Sequence, residues 1–260
     1  MPVDLHYKSF GQGQPVMILH GLFGSSRNWQ TIAKKLADSY QVISVDLRNH
    51  GLSKKVDSMT YFEMAEDISH LIKLSGLNNV SIIGHSMGGK VAMITSLLYK
   101  DIIQNLVVVD IAPVKYSHTY EKLFLAMNSL PLGNIKNRKD AELYLDNKIN
   151  DTWLTQFLLQ NLIRTDQGYQ WQINLSAIEL NISHINQFPE IGEYNKFDGA
   201  ALFIGGVNSE FIKSEFHETI YHYFPAAKIK MMENAGHMLH VEQPEETFNS
   251  LKSFLDQPEI

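Results

Sequence analysis

Cysteine is absent from the 260 residues. That removes disulfides, a thiol nucleophile and thiolate metal ligation from consideration. Positive charge is scarce: 22 Lys and Arg stand against 28 Asp and Glu, a formal net charge of −6. No Lys/Arg run forms a patch suited to nucleic acid, which is therefore not an expected partner. No stretch approaches ~18 consecutive apolar residues, so no membrane-spanning helix is expected. The opening MPVDLHYKSF has no basic segment leading into an apolar run. No secretory signal is read there, and a cytoplasmic location is expected. Internal repeats, low-complexity tracts and linker-like stretches are missing too. What remains is an ordinary globular balance, 44% hydrophobic and 19% charged, in a chain long enough for one or two domains.

The most informative stretch is NVSIIGHSMGGK, Asn79 to Lys90. Val80 to Ile83 is an apolar, β-branched run that reads as a buried strand, and Met87 to Tyr99 reads as a helix. Between them lies Gly84-His85-Ser86-Met87-Gly88, the G-x-S-x-G pattern of a nucleophile elbow. So tight a turn forces the serine to a positive φ. It also leaves no room for side chains two residues before and after. Alone the pattern is weak, arising by chance in about one chain in ten of this size. Flanked by a strand and a helix, it makes Ser86 the expected nucleophile.

Strands are expected at Val3 to Phe10, Pro15 to His20, Tyr40 to Asp46, Asn105 to Asp110, Ala200 to Gly205 and Ala227 to Met232. Helical spacing covers Asn28 to Ser39. Thr60-Tyr61-Phe62-Glu63 is a capping box opening a helix to about Ser75, with Gly76 as its stop. Ser209 to Phe224 reads as a helix, and Gln243-Pro244-Glu245-Glu246 starts another. Strands alternating with helices predict a mostly parallel sheet covered on both faces. From 113 to 197 the rhythm changes. No convincing strand is read there, only helical spacing over Tyr120 to Leu130 and Asp140 to Ile163, with Leu123, Phe124, Met127, Leu143, Trp153, Phe157 and Leu158 as apolar stripes. The expected organisation is a core of residues 1–112 and 198–260, with 113–197 inserted as a helical cap.

A serine hydroxyl needs a base. His237, in Ala235-Gly236-His237 between the last strand and the last helix, is the expected one. Loops leaving the carboxyl ends of parallel strands gather on the edge that carries the elbow. His240 suggests a metal site, but no third ligand is spaced to complete it, so none is expected. For the carboxylate, Asp110 at the end of NLVVVD is favoured, with Glu210, Asp46 and Asp198 as alternatives. Asp46 is expected instead to organise its own loop with Arg48 and His50. Two backbone N–H groups should stabilise an oxyanion. Met87 supplies one. The loop after the second strand supplies the other through Leu22, with Phe23 the second choice and His20 bracing the loop.

HGLFGS, DLRNHGLS, GHSMGGK, VDIAPV and the terminal AGH together resemble the α/β-hydrolase superfamily. Within it they resemble the YbfF-type esterases and their eukaryotic α/β-hydrolase-domain relatives. The likeness spans the whole chain and includes WQINLSAI in the cap. It implies an α/β-hydrolase fold with an eight-strand-type sheet, a helical cap inserted after the strand ending at Asp110, and no cofactor. It also implies that Asp110 is the acid, because Ser209 stands where many superfamily members carry Asp. The implied activity is hydrolysis of small carboxylic esters or acyl thioesters, acyl-CoA among them, through an acyl-enzyme. Alternatives on the same fold are C–C bond hydrolysis, elimination of a carboxylate, perhydrolysis, or a retired ligand-binding module. The cap's apolar and Met-bearing helices predict a closed pocket for short to medium acyl chains.

Overall fold

Short runs of β-branched and apolar residues pair into one sheet. The structure, a computed structural model, describes residues 1–192 and 195–257. Glu193 and Tyr194 of the expected cap and residues 258–260 of the expected core lie outside the described residues. The strands of the sheet are β1 (Tyr7–Phe10), β2 (Pro15–Leu19), β3 (Gln41–Val45), β4 (Val80–His85), β5 (Ile103–Val109), β8 (Ala200–Gly206) and β9 (Ala227–Met232). Their order is β1-β3-β2-β4-β5-β8-β9. β1 is antiparallel to β3 and every other pairing is parallel. Among the described residues the sheet thus has seven strands, not eight. The first is also shorter than expected. Val3 and Leu5 are buried, and Val3 N–H donates to Asp67 Oδ1 at 2.7 Å, so this segment is tied down outside the sheet.

Alternation along the strands divides the core in two. Val16 and Ile18 face one layer with Ile32, Leu36 and Leu251. Met17 and Leu19 face the other with Met64, Ile68, Val91 and Ile94. The first layer contains α1 (Gln30–Leu36) and α11 (Pro244–Asp256), and the second α2 (Tyr61–Leu74) and α3 (Met87–Leu98). The capping box opens α2 as expected: Thr60 Oγ1 accepts from Glu63 N–H at 3.3 Å, and Glu63 Oε2 accepts from Thr60 N–H at 2.9 Å. Gly76, at φ 64°, follows its end.

From Val109 the chain leaves the sheet and returns at Ala200. Between them lie α4 (Glu121–Asn128), α5 (Arg138–Ile149), α6 (Thr152–Leu159), the strands β6 (Leu162–Thr165) and β7 (Gly168–Trp171), α7 (Leu175–Leu180) and α8 (Ile182–Asn186). The expected helix over Asp140 to Ile163 is broken by Asn150, which is left-handed at φ 59°, and by Asp151, whose Oδ1 accepts from Leu154 N–H at 2.9 Å to cap α6. Leu143 faces solvent. The region does hold strands: β6 and β7 form a hairpin closed by Asp166 and Gln167, with Gly168 opening β7 at φ 110°. Downstream, the helix expected from Ser209 starts later. Ser209 to Lys213 is a loop and α9 spans only His217–Tyr223, while a short α10 (Leu239–Glu242) precedes α11.

Candidate active site

The order of strands reverses beside β2: β3 lies on one side and β4 on the other. At that switch point the loops leaving β2 and β4 diverge and leave a crevice at the carboxyl ends. Ser86 sits just beyond β4 with φ 51° and ψ −121°, the strained conformation that lifts Oγ clear of the sheet. The glycines of the elbow are required by contact. A Cβ on Gly84 would lie 2.2 Å from Gly88 O, and one on Gly88 would lie 2.5 Å from His20 O.

Asp110 stands one residue past β5, also at positive φ (52°), and its side chain is fully buried. Its Oδ1 accepts from Gly206 N–H at 3.0 Å. Its Oδ2 accepts from His237 Nδ1 at 2.7 Å and from the Ser209 hydroxyl. His237 Nε2 lies 3.0 Å from Ser86 Oγ. Three carboxyl-end loops thus place a nucleophile, a base and an orienting carboxylate in one line. The other candidate acids lie elsewhere. Glu210 is in a loop, not on a helix; its side chain is 76% exposed and its ion partner is Lys213 at 3.6 Å. Asp198 is exposed at the amino end of β8, the opposite edge. Asp46 does organise a loop, accepting from Ser26 N–H at 2.7 Å and Leu52 N–H at 2.9 Å. Arg48 does not join it, turning instead to a buried bidentate pair with Asp67 at 2.6 and 2.9 Å.

Leu22 N–H has no partner among the described residues. Met87 N–H is among the amides at the start of α3 that have no earlier turn to bond. Phe23 N–H, the second choice, is occupied by His50 Nε2 at 3.2 Å. His20 braces the same loop, Nδ1–H donating to Gly21 O at 2.8 Å and Nε2 accepting from Leu47 N–H at 3.0 Å. Phe23 is at φ 59°, and its carbonyl accepts from the buried Asn161 Nδ2 at 2.8 Å, so the inserted segment also fixes this loop.

Several contributors escape sequence reasoning. Phe211 stacks on the His237 ring with centroids 4.1 Å apart. His85, inside the elbow, donates from Nε2 to His237 O at 2.9 Å and so fixes the loop that carries the base. His240 stacks on Trp29 at 4.3 Å, with neither ring nitrogen hydrogen-bonded. Three histidines clustered near Ser86 in a chain with 11 of them offer no periodicity to read; only the fold brings them together. A cavity of about 400 Å³ opens above Ser86, lined by Trp29, Leu123, Trp153, Phe157, Phe211 and Met238 among others.

Burial, and then the neighbouring His237, lowers the pKa of His240 from the usual 6.5 to about 3. In that window the unfolded chain binds a proton that the folded one refuses. Stability from this group is therefore complete above 6.5 and falls as pH drops towards 3. His240→Phe keeps a ring against Trp29 and removes the titration. Between about pH 7.5 and about pH 5 its melting temperature should fall less than that of the unsubstituted protein. Equal falls would refute this account of the ring.

A family model described as the alpha/beta hydrolase fold matches residues 14–244. The chain is 36% identical over 265 residues to the sn-1-specific diacylglycerol lipase ABHD11 of Danio rerio, covering 98% of this chain and 83% of that protein. It is 32% identical to the esterase YbfF of Escherichia coli strain K12, with 93% of each covered. A solved structure described as a marine microorganism esterase is similar with a TM-score of 0.94 and 38% identity, over 97% of this chain and 99% of that one.

Proposed function

Because the chain belongs to the α/β-hydrolase superfamily, in the group of the YbfF-type esterases, and is an ester hydrolase, we propose that Ser86, His237 and Asp110 are its catalytic triad. Its substrates are short to medium acyl esters and thioesters, acyl-CoA included. The observation that carries this is the unbroken relay from Ser86 Oγ through both His237 nitrogens, 3.0 and 2.7 Å, to a buried carboxylate.

His237 Nε2 takes the Ser86 proton as Oγ attacks the acyl carbon. The carbonyl oxygen becomes an oxyanion bound by the N–H groups of Leu22 and Met87. Asp110 accepts from Nδ1–H, which fixes the tautomer and stabilises the imidazolium. The leaving alcohol or thiol takes its proton from Nε2, and water repeats the steps on the acyl-enzyme. Residues 113–197 serve as a cap, and Trp153, Leu154 and Phe157 from it line the cavity over Ser86.

A panel of soluble p-nitrophenyl esters and acyl-CoA thioesters, with fluorophosphonate labelling of Ser86, tests the reading. No labelling and no turnover on any member would overturn it; labelling without ester turnover would favour C–C hydrolysis or elimination. A lined cavity, as opposed to an open apolar surface, also implies activity on monomeric substrate. The rate should rise smoothly with dissolved ester. A jump on emulsified triglyceride above its solubility limit would contradict the cap assignment.

A further inference from the structure

Two spaces of unequal size meet at Ser86. The larger, about 400 Å³, is bordered by His237, Met238 and His240 and walled by aromatic and aliphatic side chains. The smaller, about 20 Å³, adjoins it and is bordered by Met87, Lys90, Tyr61, Tyr116 and Ile185. Leu22, Ser86, His118, Tyr120 and Phe211 border both. His237 borders only the larger, and Met87 only the smaller.

We propose that the small chamber receives the acyl group and the large cavity the leaving group, so that the enzyme selects short acyl groups carried on large apolar alcohols or thiols. The assignment rests on the triad reading above. The tetrahedral carbon carries Ser86 Oγ, the oxyanion, the leaving atom and the acyl chain. The oxyanion points to Leu22 and Met87. The leaving atom must come within hydrogen-bond reach of His237 Nε2 to be protonated, which directs its substituent into the cavity that His237 borders. The chamber beside Met87 is left for the acyl chain.

Size and polarity both limit what enters there. At about 20 Å³ against about 400 Å³ on one measure, the chamber admits a much smaller group than the cavity does. Its walls are fixed. Lys90, 1% exposed, donates to Asn186 O at 3.1 Å and Gln187 O at 2.8 Å. Tyr61 Oη–H donates to Ile185 O at 2.7 Å and Tyr116 Oη–H to Phe211 O at 2.6 Å. The Lys90 ammonium lies 4.9 Å from the centre of the Tyr116 ring and has no carboxylate partner among the described residues. Burial lowers its pKa to about 7. A long alkyl chain pushed into this chamber would have to displace those tethers and desolvate the ammonium further, whereas in the larger cavity it meets Leu123, Trp153 and Phe157.

Hexyl acetate and ethyl hexanoate are isomers that exchange the long chain between the two sides of one ester bond. Hexyl acetate should show the higher kcat/KM by about tenfold or more, since one misplaced methylene alone costs about tenfold or more. Ile185→Ala, which enlarges the small chamber, should narrow that ratio by about tenfold. Equal rates, or faster turnover of ethyl hexanoate, would overturn the chamber assignment and leave the esterase reading standing. No turnover of either isomer would overturn both.

Discussion

Ser86→Ala should lower ester turnover by on the order of 10⁴-fold or more, with the fold unchanged. Both residues carry a Cβ and neither relieves the positive φ, so the backbone strain at φ 51° is the same before and after. The serine Oγ has one side-chain partner, His237 Nε2 at 3.0 Å, and that ring borders the open cavity, where water can replace the lost bond. Removing the nucleophile leaves only the oxyanion donors and binding to accelerate attack by water. The measurements are kcat on a soluble p-nitrophenyl ester and the melting temperature of the same preparation. A variant keeping a tenth of the original turnover, with an unchanged melting temperature, would remove Ser86 from the mechanism.

Asp110→Asn should cost about 10³- to 10⁴-fold in turnover, and Glu210→Gln less than about tenfold. Asp110 is wholly acceptor: Gly206 N–H on one oxygen, His237 Nδ1 and the Ser209 hydroxyl on the other. An asparagine that keeps its oxygen towards Gly206 turns its NH₂ towards His237. Nδ1 must then accept instead of donate, and Nε2 carries the proton and can no longer take one from Ser86. Glu210 is largely in solvent, beside Lys213, where loss of its charge has little to disturb. If Glu210→Gln is the crippled variant, Asp110 is the wrong acid. Because Asp110 is fully buried, a melting curve of Asp110→Asn distinguishes a wrong tautomer from a lost fold.

The parts legible in the sequence are those set by local stereochemistry. The elbow, the Thr60 capping box and the apolar runs of β2, β4 and β5 each follow from neighbours within a few residues, and each is found within two residues of its expected place. The triad candidates followed because each lies at or beyond the carboxyl end of a strand on one edge. The failures share a different cause. The β6–β7 hairpin is short and half exposed, so apolar period carries no signal; the Asp166-Gln167-Gly168 turn was the cue available. Sequence proximity points Arg48 to Asp46, two residues away, but the partner that buries it is Asp67 on a facing helix. Phe211, His85 and Asn161 act on the site through the packing of loops from distant segments, which no local pattern encodes. In the sequence Ser209 stands out only for the Asp it replaces, while its hydrogen bond to Asp110 depends on where the loop after β8 turns back.

Strands β5 and β8 pair from Asn105↔Ala200 to Val109↔Ile204, although the whole inserted segment lies between them in the chain. Because the two strands are parallel, its ends lie on opposite edges of the sheet: it leaves beyond Val109 at the carboxyl edge and returns to the amino edge at Ala200. Lengthening a flexible part of such an excursion costs only about 0.6 kcal/mol per doubling, so extra length after Ile111 is tolerated as long as the segment still reaches the amino edge and keeps Asn161 on Phe23 O. Proton relay and substrate walls are in this sense separately editable. Libraries confined to the excursion, or whole segments transplanted from a relative, can redraw the large cavity while the strand ends that carry Ser86, Asp110 and His237 stay where they are.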